Sequence, residues 1–157
     1  MKKRDAKLGE KVYLLKVILS DWYGKVRGRP FRVFAIPEGF TLYSLAEAIV
    51  DGFDFDFDHA FGFYDNIKNR SHSNEGYELF ADIGEESEFK GVRLTRVNRV
   101  FDKPGKKMLF LFDYGEEWHF IVELKGIQLP KEGEKYPLIV ASVGGIPLQY
   151  GEVDEGN

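Results

Sequence analysis

The chain has 157 residues, 43% hydrophobic and 15% aromatic, with a formal net charge of −4. That length accommodates one domain with its own core, and that composition excludes disorder of the whole chain. The absence of cysteine excludes disulfides, thiolate zinc sites, iron–sulfur clusters and cysteine nucleophiles, and the acidic balance argues against nucleic acid as the default partner.

The N-terminal MKKRDAKLGEK has charges but no apolar segment of signal-peptide length behind them. No run approaches the ~20 apolar residues of a membrane span. The expectation is a cytoplasmic protein with no membrane segment, a single domain over 1–157 whose ends, 1–10 and 151–157, are frayed. Val12–Asp21 reads as a strand with Tyr13, Leu15, Val17 and Leu19 on one face. A basic loop, Gly24–Pro30, leads to a second strand, Phe31–Ile36, stopped by Pro37-Glu-Gly39. The connection is too short for a helical crossover, so antiparallel pairing is predicted. Leu42, Leu45, Ala46, Ile49, Val50 and Phe53 then make a continuous helical stripe, with Thr41 placed to cap it and Gly52 to end it. Ala60–Asp65 and Tyr77–Ala81 read as short strands around a polar loop. Val92–Phe101 reads as a second short helix with Leu94, Val97, Val100 and Phe101 on one face. Last, MLFLFD and WHFIVELKGI flank Tyr114-Gly-Glu-Glu117 as a long C-terminal β-hairpin whose turn chemistry sits at Gly115. The fold class is α+β: a mainly antiparallel sheet packed against one main helix (41–52), with a second short helix (92–101).

Chemistry concentrates in three places. In Asp51-Gly-Phe-Asp-Phe-Asp-Phe-Asp-His-Ala-Phe61, acids at 54, 56 and 58 fit the start of an EF-hand loop, but its sixth position is His59 and its twelfth Asp65. The tight glycine turn and the bidentate Glu are therefore missing. Zinc lacks a second local histidine. Alternation of Phe53, Phe55 and Phe57 predicts instead an apolar face with carboxylates turned to water. His59 follows Asp58, and neighbours on a strand face opposite ways, so no dyad between them is expected. The second place is the hairpin, where Asp113, Tyr114, Glu116, Glu117 and His119 gather near the tip, able to hold a partner or move a proton. The third is a basic stretch with Arg93, Arg96, Arg99 and Lys103, which could meet phosphates or simply flank a helix. SVGGIP lacks the strand and helix of a dinucleotide loop, and no P-loop, HExxH or GxSxG is present. No cofactor or metal is expected.

Several positions together resemble the plasmid pRiA4b ORF-3-like family. They are Ile36-Pro37, Thr41-Leu42, Leu45, Ile49, Phe55 (where the family usually has Trp), His59, Phe63, the segment Phe112-Asp-Tyr-Gly-Glu-Glu-Trp118, and Tyr136-Pro137. FDYGEEW is the specific part. Members commonly have His at the positions of Ala46, Phe61 and Phe120, so most shared imidazole chemistry is missing here. The resemblance implies no established activity.

From the residues, the expected function is a non-catalytic binding or accessory module for an unknown protein or small-molecule ligand. Its expected surface is Asp58, His59, Asp113, Tyr114, Glu116, Glu117 and His119. The alternative is a small metal-assisted hydrolase using Asp113, Glu116, Glu117 and His119; a third reading is a nucleic-acid accessory protein using the Arg93–Lys107 stripe.

Overall fold

A computed structural model describes residues 2–20, 26 and 28–150. Asp21, three residues of the Gly24–Pro30 loop (Gly24, Lys25 and Arg27) and the tail 151–157 lie outside the described residues. The architecture is a seven-stranded antiparallel sheet with few helices, in the order β4-β3-β5-β6-β1-β2-β7. Its strands are β1 (Val12–Ser20), β2 (Phe31–Pro37), β3 (Phe61–Tyr64), β4 (Gly76–Glu78), β5 (Lys107–Phe112), β6 (Trp118–Gln128) and β7 (Leu138–Val143). The helices are α1 (Leu42–Gly52) and two single turns, α2 (Leu79–Asp82) and α3 (Val97–Val100). No helix among the described residues is long and apolar enough to cross a membrane.

The expected antiparallel pairing of β1 with β2 is present, running from Val12↔Pro37 to Ile18↔Phe31. Leu15, Val17 and Leu19 are fully buried, as alternation dictates. Thr41 caps α1 by accepting the Ser44 N–H, and the stripe Leu42, Leu45, Ala46, Ile49, Val50 and Phe53 is inaccessible to solvent. These side chains share one buried cluster with Phe34, Phe61, Phe63, Phe110, Phe112, Trp118 and Phe120. On the other side of the sheet Tyr64, Leu109 and Leu111 form a smaller cluster with Ile67, Phe89 and Tyr114.

Four expectations need correction. The helix over 92–101 shrinks to the four residues of α3, and Leu94 is 92% exposed. The reason is that Val92 and Thr95 turn their carbonyls to the N–H groups of Tyr43 and Leu42, satisfying the first turn of α1 instead of their own helix. The strand over Tyr77–Ala81 ends at Glu78 and becomes α2. Residues 53–60 are irregular, and burial alternates as expected between Phe53 or Phe55 and the exposed Asp54 or Asp56. Gly52 closes α1 without a left-handed φ; that conformation falls to Asp54, at φ 60°. What requires glycine at 52 is Phe34, whose ring carbon would lie 2.6 Å from an added Cβ. Finally, β5 and β6 do pair from Lys107↔Glu123 to Phe112↔Trp118, but β7 follows them and runs along the far side of β2.

Candidate functional site

The connection between β5 and β6 is residues 113–117, and its geometry differs from the turn expected at Gly115. Asp113 (φ 69°) and Glu117 (φ 55°) take the left-handed conformations, while Gly115 does not. Asp is among the few non-glycine residues that tolerate this region, because its short side chain can bond nearby backbone. Here Asp113 Oδ1 accepts the N–H groups of Gly115 and Glu116 at 3.1 and 3.2 Å, and its own carbonyl accepts the Glu117 N–H.

The second oxygen of Asp113 points elsewhere. Oδ2 lies 3.5 Å from Nε2 of His59, whose Nδ1 is 2.7 Å from Asp58 Oδ1. One imidazole is thus held between two carboxylates, one from each of the segments singled out in the sequence. The Asp58–His59 contact corrects the expectation that neighbours would diverge, because that rule belongs to extended strands and this backbone is irregular. Asp113 N–H also donates to Ala60 O, and the His59 ring stands edge-on to Phe112. Beneath the junction Phe55 and Trp118 meet at a 4.8 Å centroid separation. The His59 and Asp58 side chains are 37% and 45% exposed, against 9% for Asp113.

The C-terminal residues reach this junction without any signal in the sequence. Gln149 accepts the Asp56 N–H and donates to the Asp56 carbonyl and to Asp58 Oδ1, its amide acting as a short strand edge. Tyr150 donates its hydroxyl to Asp58, and this bond, with His59 alongside, holds the Asp58 carboxyl below its usual pKa.

Tyr114, Glu117 and His119 fall on the opposite side of the sheet. His119 pairs in register with Leu111 of the smaller cluster, and its Nε2 is 3.1 Å from Glu117 Oε1. Both line a groove of ≈ 390 Å³ with Lys68, Arg70, Ser71 and Leu109. Tyr114 bonds Tyr64 through their hydroxyls at 2.6 Å, and Tyr64 donates to Glu78. Burial raises the pKa of both phenols, so they remain neutral donors and acceptors. An added Cβ at Gly62 would lie 2.6 Å from the Tyr114 hydroxyl oxygen, which is why the phenols can meet only over glycine. The seven expected residues therefore divide: Asp58, His59 and Asp113 converge, Glu117 and His119 pair apart from them, Tyr114 joins Tyr64, and Glu116 is exposed at the tip. Among the described residues no group of three or more His, Asp or Glu is placed to hold a metal ion.

The expected basic stripe is not a helix face. Arg93 lies over the Tyr43 ring and Arg96 donates to Gly39 O. Arg99 is exposed on α3, and Lys103 is exposed beyond it.

A family model described as plasmid pRiA4b ORF-3-like protein matches residues 11–150, both halves of the junction included. No curated protein matches. Among solved structures, the crystal structure of a protein of unknown function, MM3350, from Methanosarcina mazei Go1 is similar. Its TM-score is 0.67 at 25% identity, over 85% of this chain and 70% of that one. At the positions where the family resemblance leads one to expect further histidines, Ala46, Phe61 and Phe120 are fully buried and serve packing.

Proposed function

Given that the chain belongs to the plasmid pRiA4b ORF-3-like family, we propose that it is a soluble, cytoplasmic, non-catalytic binding or accessory module. Its partner-facing surface is the junction of Asp58, His59 and Asp113, and the group it engages is cationic. What supports this reading is the meeting of His59 with Asp113, from distant parts of the chain, at 3.5 Å on an accessible surface. Two carboxylates against one imidazole leave the cluster anionic whether or not His59 carries a proton. Exposed Asp56, joined to Asp58 through Gln149, and exposed Glu116, whose N–H donates to Asp113, add charge of the same sign. Calorimetric titration with an oligolysine peptide tests the reading. Binding is expected for the native chain and is expected to vanish in Asp58→Asn/Glu116→Gln while the melting temperature holds. Undiminished binding by that folded variant would refute it.

The hydrolase reading needed Asp113 beside His119, and these residues face opposite sides of the sheet. What remains in its favour is the Glu117–His119 pair in the ≈ 390 Å³ groove, where Glu117 would orient the imidazole as a base. Hydrolysis of p-nitrophenyl acetate that disappears in a folded His119→Ala variant would favour this second reading.

A further inference from the structure

Two groups of cations that lie far apart in the chain are brought to one face by the turn at Gly39–Thr41. On one side Lys2, Lys3 and Lys7 line a groove of ≈ 500 Å³ with Phe40, Ser44 and Glu47. On the other side Lys90, Arg96 and Arg99 line a groove of ≈ 320 Å³ with Leu94 and Asn98. Arg96 ties the two together: it is bridged to Thr41 and its guanidinium donates to Gly39 O at 2.8 Å. Arg93, also exposed, lies over Tyr43 in the first turn of α1. Among the described residues none of these cations is in an ion pair. Arg4 is different, since Glu10 accepts from both of its terminal nitrogens. The acids facing these cations are Glu47 and Asp51 beside the lysines, and Glu38, Glu75 and Glu88 beside Lys90, Arg96 and Arg99. Glu38 is already engaged by the Lys11 N–H and Asn98, and Glu75 by Lys106 and the Tyr77 hydroxyl.

The start of α1 adds no anion site of its own. Its N–H groups at Leu42, Tyr43 and Ser44 go to Thr95, Val92 and Thr41. Attraction on this face therefore comes from flexible side-chain cations, which suits phosphates spaced along a chain rather than one small anion. Nearby rings are covered: Arg4 lies over Phe40 and Arg93 over Tyr43, so no open aromatic face is offered for base stacking.

We propose that this face binds the phosphate backbone of duplex nucleic acid without reading base sequence. Asp54, Asp56 and Asp58 follow the C-terminal end of α1, so the net charge of −4 coexists with a locally basic surface at its start. The test is fluorescence anisotropy with a labelled mixed-sequence duplex across ~50–200 mM salt. The native chain is expected to bind. Lys2→Gln/Lys3→Gln and Lys90→Gln/Arg99→Gln should each weaken binding about tenfold at ~100 mM salt and lower the salt slope by about two. Lys107→Gln/Lys131→Gln, exposed and outside both grooves, should change neither quantity. All these side chains are exposed, and circular dichroism melting checks that each variant is folded. The proposal is overturned by absence of duplex binding at ~50 mM salt, or by tighter binding of single-stranded DNA or polyglutamate. It is equally overturned if only one of the two groove variants loses affinity, because a single surface requires both.

Discussion

At Asp113 one side chain holds three things: a left-handed backbone, two N–H groups of the tip, and the contact with His59. Gly115, which looks like the turn residue, carries none of these. Gly115→Val is therefore expected to cost under about 1 kcal/mol, and Asp113→Val about 2–3 kcal/mol, through lost bonds and a β-branched residue at positive φ. Urea unfolding of both variants decides, and the reverse order would place the conformational demand at Gly115 after all. A second residue, Glu10, is buried with Arg4 on both oxygens and the Lys7 and Gly39 N–H groups on its carboxylate. The hydrogen-bonded Arg4 guanidinium, outweighing burial, holds its pKa at about 2 instead of 4.5. A depressed pKa stabilises the fold above the unfolded value, and that contribution is lost as pH falls from about 4.5 to about 2. About 3 kcal/mol is at stake over the full window, of which about 2 kcal/mol is lost by pH 3. In Glu10→Gln the native chain's loss of stability between pH 5 and pH 3 should shrink by about 2 kcal/mol, read from denaturant melts at pH 5, 4 and 3.

Among the elements, α1 was legible because six apolar residues at helical spacing meet one cap, and each side chain of the stripe lies in the core. Its C-terminal end was not, because the demand on Gly52 comes from a residue on β2. Alanine is the better helix former by about 1 kcal/mol, yet a Cβ 2.6 Å from Phe34 Cζ overpacks the core at a cost of about 1–3 kcal/mol. Packing should win, so Gly52→Ala is expected to lower the melting temperature. In a Phe34→Leu background the same change should be neutral or stabilising. A Gly52→Ala penalty unchanged by Phe34→Leu would show that the contact is not its source.

Across the whole molecule, cations gather around Thr41 and acids from Asp51 to Asp58, although Lys3 and Arg32 also reach the C-terminal end of α1. The acids from Asp51 to Asp58 invite a metal ion, but among the described residues Asp54, Asp56 and Asp58 do not converge to hold one. Asp54 and Asp56 are exposed, and Asp58 is committed to His59, Gln149 and Tyr150. Elemental analysis of the purified protein is expected to find no stoichiometric metal, with Asp54→Asn/Asp56→Asn indistinguishable from the native chain. One equivalent of metal lost in that variant would mean that the acids gather around an ion in solution.

The sequence by itself determined the local and periodic features. These are the alternating face of β1, its pairing with β2, the stripe and cap of α1, and the phenylalanines of 53–57 turned away from water. Each follows from side-chain period or from a bond between near neighbours. Only the tertiary structure decided that β7 closes one edge, that Val92 and Thr95 cap α1 instead of forming a helix, and that Gly52 and Gly62 make room for distant rings. It likewise decided which candidate residues meet. His59 reaches Asp113 because β3 and β5 are neighbours, while His119 is carried to the other side by the two-residue period of β6. Periodicity is a property of one segment, whereas convergence depends on strand order, which is set by how the whole set of apolar faces is buried together.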